Sequence, residues 1–290
     1  MKADGSAQAQ LTHQANGKFA NHALFSPDRT KIVYASHTPW TPQSPGTSEI
    51  HLMNADGTND QVLVSPGSAQ GEWVDEPAWY GGGSSVFFAH DVPQYNTAGQ
   101  WQSDTLTLEG LNLANGSRSV ILPNAENPTT APTGALAWVA INPGALGFQV
   151  NFTADGSTVK TLVSDKNCSI VSQPRLSPDG QWLAFSCSGP IGTAGSGSSG
   201  IFGLANLSLI SAAEAHGLPW DPFVIKTDGT GLRRLAAVGS DEQAVAWSPD
   251  GKTIAVDFYD GIFAMPASGG AMAKIVAGGD ASALDWSASS

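Results

Sequence analysis

The stretch AWSPDGKTIAVDF, residues 246–258, decides the fold. It reads as an apolar strand, a Ser-Pro-Asp-Gly corner, and a second strand with alternating apolar positions. Proline presets φ for the second turn position, aspartate suits the third, and glycine takes the left-handed conformation that closes the hairpin. The unit returns as LFSPDRTKIVYAS (24–36) and RLSPDGQWLAFSC (175–187). In the first copy Arg29 stands where glycine is expected, at a strain of roughly 1 kcal/mol.

Looser copies fill the gaps. PAWYGGGSSVFFAHD (77–91) and LAWVAINPGALGFQV (136–150) keep the order strand, corner, strand, and ALDWSAS (283–289) repeats only the first strand. Aligned on the large residue before the corner, Phe25, Trp79, Trp138, Leu176, Trp247 and Trp286 share one expected position on six inner strands. A second hairpin follows each first one, clearest in EIHLMNADGTNDQVLV (49–64) and DPFVIKTDGTGLRRLAAV (221–238). NADGTND (54–60) resembles a calcium loop in composition but lacks its spacing and its late glutamate, so Asp56-Gly57 and Asp228-Gly229 read as hairpin turns.

Four antiparallel strands per repeat, repeated around a ring, make an all-β propeller. Six blades are expected, the last incomplete or closed by both termini. The expected spans are 20–66, 75–123, 133–165, 171–238 and 243–278, with a sixth blade from 1–13 and 281–290, all in one domain. Either the ends close the ring as a two-stranded blade or the chain is part of a larger protein; the second reading is favoured, since a full blade needs four strands to shield its neighbours.

The motif W-S-P-D-G-x-x-I-A, followed by D-G-T-G and a leucine-containing strand, resembles the TolB-type β-propeller repeat, a relative of WD-type repeats. That resemblance implies a six-bladed binding scaffold, periplasmic or extracellular, working through protein partners. Two departures set the chain apart from TolB itself. The frequent Ser-Asp-Arg-Gly after the second strand is replaced by Ser36-His37 and His90-Asp91, and TolB's N-terminal domain has no counterpart.

Composition narrows the classes. The 290 residues hold 33 Gly, 18 Pro and nine Trp with 13% charged residues, which suits many turns joined by short apolar runs. A net charge of −12 with no basic run argues against nucleic-acid binding. No apolar stretch reaches the roughly 20 residues a membrane helix needs, and MKADGSAQAQ has no apolar signal region. Cys168 and Cys187 flank a hairpin whose folding about Asp179 sets Cys187 opposite Val171. A disulfide is then reachable, suiting an oxidising compartment; two buried thiols are the other reading.

The corners and Asp-Gly turns share one face, so the long insertions share the other: 37–49, 90–104 and 188–220. Trp79, Trp138, Trp182, Trp247 and Trp286 read as core. Trp40, Trp73, Trp101 and Trp220 fall on the long-loop face with His37, His90, Asp91, Tyr95, Asp104, His216 and Asp221. Aromatic anchors with a few polar groups suit a site for a peptide or a sugar; alternatively the loops pack on their own rings. His37, His90 and Asp91 are candidate zinc ligands or, more plainly, solvent-facing groups.

Enzyme signatures fail on inspection. Gly251-Lys252-Thr253 belongs to a corner, GSGSSG (195–200) lies in a Gly/Ser run outside any βαβ unit, and neither H-E-x-x-H nor G-x-S-x-G occurs. Residues 201–217 suit a short amphipathic helix or an irregular loop. The leading expectation is a non-catalytic scaffold, without cofactor or resident metal, binding a protein or peptide partner in the cell envelope or outside the cell; carbohydrate is the other candidate ligand. The alternatives are the propeller of a secreted polysaccharide hydrolase or lyase, with or without a metal, and a sensor domain of a larger polypeptide.

Overall fold

The computed structural model describes residues 1–14, 17–39, 41, 46–141, 148–189, 219–239, 243–258, 260–278 and 283–287. The candidate residues Trp40 and His216, the 195–200 run and the 201–217 segment lie outside them. No helix among the described residues is long and apolar enough to cross a membrane.

The described strands form five four-stranded antiparallel sheets, each built from consecutive strands. Blade 1 holds β1 (Phe19–Phe25), β2 (Lys31–Thr38), β3 (Thr47–Asn54) and β4 (Gln61–Val64). Blade 2 holds β5 (Trp73–Tyr80), β6 (Ser85–Tyr95), β7 (Trp101–Asn112) and β8 (Arg118–Pro123). Blade 3 holds β9 (Ala125–Thr130), β10 (Leu136–Ile141), β11 (Phe148–Thr153) and β12 (Lys160–Val163). Blade 4 holds β13 (Ile170–Leu176), β14 (Trp182–Ser188), β15 (Trp220–Lys226) and β16 (Arg233–Arg234). Blade 5 holds β17 (Ala244–Trp247), β18 (Thr253–Phe258), β19 (Gly261–Pro266) and β20 (Ala273–Ala277). The first strand of each blade touches that of the next, from β1 through β17, and these strands form the centre of the propeller.

The corners owe their shape to a local hydrogen-bond set. Ser26, Ser177 and Ser248 each donate Oγ–H to the aspartate two residues on, at 2.6 Å, and accept from the backbone N–H five residues on, at 2.9 Å. Arg29 does take the strained left-handed conformation, φ 61°. Asp56 accepts from Thr58 N–H at 2.9 Å and Thr58 Oγ1–H at 2.6 Å, and Asp228 does the same for Thr230. The Asp-Gly segments are thus side-chain-closed turns.

Buried side chains gather in the seams between blades, because a sheet between two neighbours must bury both faces. Val33, Ile50, Val74, Trp79 and Phe88 fill the first seam, and Leu183, Phe185, Val139 and Val150 the third. Strand β2 is accordingly buried along five consecutive residues instead of alternating.

Two expectations are corrected. Trp138 lies on β10, the second strand of its blade, so the third blade starts at Ala125 and not at 133. Its corner is Ala131-Pro132-Thr133-Gly134, where Gly134 N–H bonds Ala131 O at 2.9 Å as in the other corners, and Ala131 N–H bonds Ala135 O at 3.0 Å, one residue sooner than in the Ser-Pro-Asp corners. Thr130 holds the place expected for a large residue. Secondly, the described residues form five blades and not six. Residues 1–14 and 283–287, Trp286 included, form no strand. They cover open faces instead. Gly5 lies so close to β20 that a Cβ would stand 2.4 Å from Ile275 O, Leu11 packs on Ile32, Tyr34 and Met53 of blade 1, and Asp285 Oδ2 accepts from Phe25 N–H at 2.8 Å.

Val171 pairs with Cys187, and Cys187 is disulfide-bonded to Cys168, with Cα atoms 5.9 Å apart. The bond closes a loop with a sequence separation of 19. Its main contribution is to restrict the unfolded chain, so Cys168→Ala with Cys187→Ala should lower unfolding free energy by about 3 kcal/mol; urea titration yielding the wild-type midpoint would contradict this. Trp247 is buried and donates Nε1–H to Arg175 O across the seam at 2.8 Å. Trp247→Ala should cost roughly 3 to 5 kcal/mol in the same measurement.

Candidate functional site

Blade 2 carries the longest hairpin of the described residues. Strands β6 and β7 stay paired beyond the sheet, through Asp91↔Leu106 and Pro93↔Asp104 to Tyr95↔Trp101. Asn96 shapes the tip, its Oδ1 accepting from Ala98 and Gln100 N–H, each at 3.0 Å. With the end of β2 and the starts of β1, β3 and β5, this hairpin walls a cleft of about 580 Å³ on the long-loop face. That size suits a side chain or small ligand.

Rings and carboxylates line it. Phe19 stacks on His37 with centroids 5.0 Å apart and planes 9° apart. Trp73, Tyr95 and Trp101 face the same space, as do Asp75, Asp91 and Asp104. Trp101 donates Nε1–H to Asp104 Oδ1 at 2.8 Å, which fixes that carboxylate on the rim. Burial, and then the charge of Asp104, push the Asp91 carboxyl up to about 6, against the lowering effect of His90 and a Trp73 hydrogen bond. Asp91 Oδ1 is buried with no hydrogen-bond partner.

Asp75 joins the cleft to the centre of the propeller. Its Oδ1 lies 2.8 Å from His22 Nδ1 and its Oδ2 3.3 Å from His37 Nε2. Burial opposes its charge, but the charge and hydrogen bond of His22, and then His37, outweigh it and hold the carboxyl below the usual aspartate range. Burial likewise opposes the His22 imidazolium, and Asp75 overcomes it, so the His22 pKa is raised.

A ring of strained residues surrounds this point. His22, Glu76, Asn127 and Gln173 sit at positive φ (51°, 54°, 50° and 52°), one on the inner strand of each of the first four blades, at breaks in the strand register. The bulges turn their side chains towards one another. Asn127 Nδ2 donates to Glu76 Oε1 at 2.7 Å, Arg175 donates to Gln173 Oε1 at 3.3 Å, and Gln173 Nε2 lies 3.4 Å from His22 Nε2. These groups fill the middle of the propeller with mutually bonded polar side chains, leaving a second void only about 10 Å³ in volume.

Of the sequence-predicted residues, the cleft brings together His37, Trp73, Asp91, Tyr95, Trp101 and Asp104. It does not include His90, Trp220 or Asp221. His90 lies between Glu72 (2.8 Å) and Glu109 (2.6 Å), with Arg118 bonded to both His90 and Glu109. His90 therefore does not join His37, and among the described residues no three His, Cys, Asp or Glu are placed to hold a metal ion. Trp220 is 2% exposed in β15, and Asp221 binds Val238 N–H, Gly239 N–H and Arg234. Both serve the packing of blade 4. Sequence reading missed Phe19, Asp75 and the inner ring. The ring had a signal: Glu76-Pro77, Asn127-Pro128 and Gln173-Pro174 recur three residues before the residue that precedes each corner.

No family model matches the chain, and no curated protein does. Solved structures do. The chain is similar to TolB from Acinetobacter baumannii (TM-score 0.52, 15% identity, 88% of this chain and 52% of that one). It is similar to a putative TolB from Agrobacterium tumefaciens (TM-score 0.56, 14% identity, 93% and 87%). A chain of a nidogen/laminin complex also matches (TM-score 0.50, 10% identity, 88% and 77%). The chain thus spans about half the length of the Acinetobacter protein. At these identities the likeness is one of fold alone: a β-propeller similar to that of TolB.

Asp91 holds its proton more tightly in the fold than in the unfolded chain, so stability falls as pH rises from the ordinary value of 3.8 to about 6, and the cost is fully present above about pH 6. Asp91→Asn should raise Tm at pH 8 by roughly 2–4 °C, taking about 1 kcal/mol after discounting for its half-exposed position. The gain should shrink as pH is lowered from about 6 and vanish near 3.8, where the carboxyl is protonated in both folded and unfolded states. A fall in Tm at pH 8 would contradict the raised state of this carboxyl, set by partial burial and the charge of Asp104.

Proposed function

We propose that the protein is a non-catalytic binding scaffold that captures a protein or peptide partner through the cleft between blades 1 and 2. One observation carries this reading. The exposed aromatic side chains among the described residues are Phe19 (49%), Tyr95 (40%) and Trp101 (57%), and all three rim that single cleft. Scattered surface rings are ordinary, but three converging on one concavity leave apolar surface in water that only a ligand or partner would cover.

The propeller supplies a rigid base for such a surface, and the TolB-like architecture supports a scaffold role by analogy of fold alone. The Cys168–Cys187 bond supports an oxidising setting, periplasmic or extracellular, because cytosolic thiols are kept reduced.

Trp101 is more than half exposed, so Trp101→Ala should leave stability within about 0.5 kcal/mol of wild type. In pull-downs from cell-envelope and extracellular extracts the variant should lose the specific partner that the wild type retains. Equal capture by both proteins, with matched melting curves, would remove the cleft from the binding function.

A further inference from the structure

We infer that the cleft between blades 1 and 2 is a receptor for an organic cation, a guanidinium or alkylammonium group on a flexible chain, held by Asp91 and Asp104 among the rings of Trp73, Tyr95 and Trp101. This deepens the proposed binding role and rests on it, naming the chemistry that the partner must present.

The lining argues for a cation. Three carboxylates and five aromatic or imidazole rings face the space, and its described lining includes no Lys or Arg. Aromatic faces attract cations through their quadrupole, most strongly where water is excluded, and planar guanidinium groups also stack on them. Other acidic groups near this face already have partners within the fold: Glu72 and Glu109 contact His90, Glu109 pairs with Arg118, and Asp75 contacts His22 and His37. Asp91 and Asp104 repel each other, and a buried Asp91 oxygen lacks a donor. Leaving such an acceptor unmade is costly, and a ligand N–H would satisfy it.

The arrangement favours an organic ion over a metal. No three potential ligands among the described residues converge on one point, whereas the aromatic walls offer nothing to a hard, hydrated cation. The overall charge of −12 adds long-range attraction for a basic partner.

Groups facing Asp91 set the pH dependence. These are Asp104 on β7, the adjacent His90, and Trp73 on β5, with Asp75 and His37 in the same cleft. Protonation of Asp91 removes half of the Asp91–Asp104 charge, so affinity should fall as pH drops through about 6.

The test is calorimetric titration of the whole chain at pH 7.5 and low salt with N-acetyl-arginine amide, a Gly-Arg-Gly peptide, putrescine and calcium chloride. N-acetyl-norleucine amide and N-acetyl-glutamate amide serve as controls. Saturable binding of the arginine probes is expected, with the controls silent. Affinity should weaken at least roughly tenfold in Asp91→Asn with Asp104→Asn, and also in wild type at pH 5 or at high salt. Tighter binding of Gly-Arg-Gly than of putrescine identifies a protein side chain as the source, and the reverse order a free polyamine; either supports the assignment. Binding of calcium alone, equal binding of norleucine amide, or silence of every cation overturns it. If the cations are silent while Trp101→Ala still abolishes partner capture, the cleft remains the binding surface and only its cation chemistry is wrong. Loss of both removes the underlying reading as well.

Discussion

Every blade is tied to the element before it by a hydrogen bond from the residue that precedes its corner. Trp79 Nε1–H donates to Leu24 O (3.1 Å), Thr130 Oγ1–H to Trp79 O (2.5 Å), Leu176 N–H to Thr129 Oγ1 (3.1 Å) and Trp247 Nε1–H to Arg175 O (2.8 Å). Phe25 N–H makes the fifth bond, to Asp285 Oδ2. The donors differ in chemistry, yet each joins its seam at an equivalent place. A sheet with two buried faces has no stability apart from its neighbours, so these links at the crowded centre fix the angle at which the blades pack.

With the blades fixed, the long-loop face has little freedom. The cleft forms because β6 and β7 outrun their sheet beside the end of β2 and the start of β3, which sets Phe19 and His37 against Trp73 and Asp91. Asp75 binds His22 on one side and borders the cleft on the other. The inner ring holds four left-handed residues, and strain of this kind costs on the order of 1–3 kcal/mol each, so the surrounding packing must over-determine it. Its polar groups are spent on one another, whereas in the cleft a buried Asp91 oxygen is left without a donor. That contrast is why the proposed binding surface is the cleft and not the middle of the propeller.

Much of the architecture was legible because Ser-Pro-Asp-Gly and Asp-Gly turns are local chemistry: their side chains close the turn wherever they occur. Where the chemistry changed, reading failed. The third blade turns at Ala131-Pro132-Thr133-Gly134 after a threonine, and the conspicuous Trp138 drew the alignment one strand too far. The sixth blade failed for a different reason. Trp286 matches an inner strand in pattern, but residues 283–287 meet blade 1 through the Asp285 carboxylate and not through a ladder.

The candidate site was half legible. Length of insertion pointed to the β6–β7 hairpin, hence Asp91, Tyr95, Trp101 and Asp104. His90 was misplaced by the two-residue period of a strand, which sends it to the opposite face from Asp91. Trp220 follows a long insertion and so reads as a loop ring, though it opens a buried strand. Asp75 and Phe19 were invisible because their roles depend on contacts between blades.

Hydrogen exchange of the protein with and without its captured partner tests the central claim most directly. Protection should appear in 71–75, 91–104 and the end of β2, leaving blade 4 unchanged; protection centred on 219–239 or on the inner strands, with 91–104 unaffected, would contradict it.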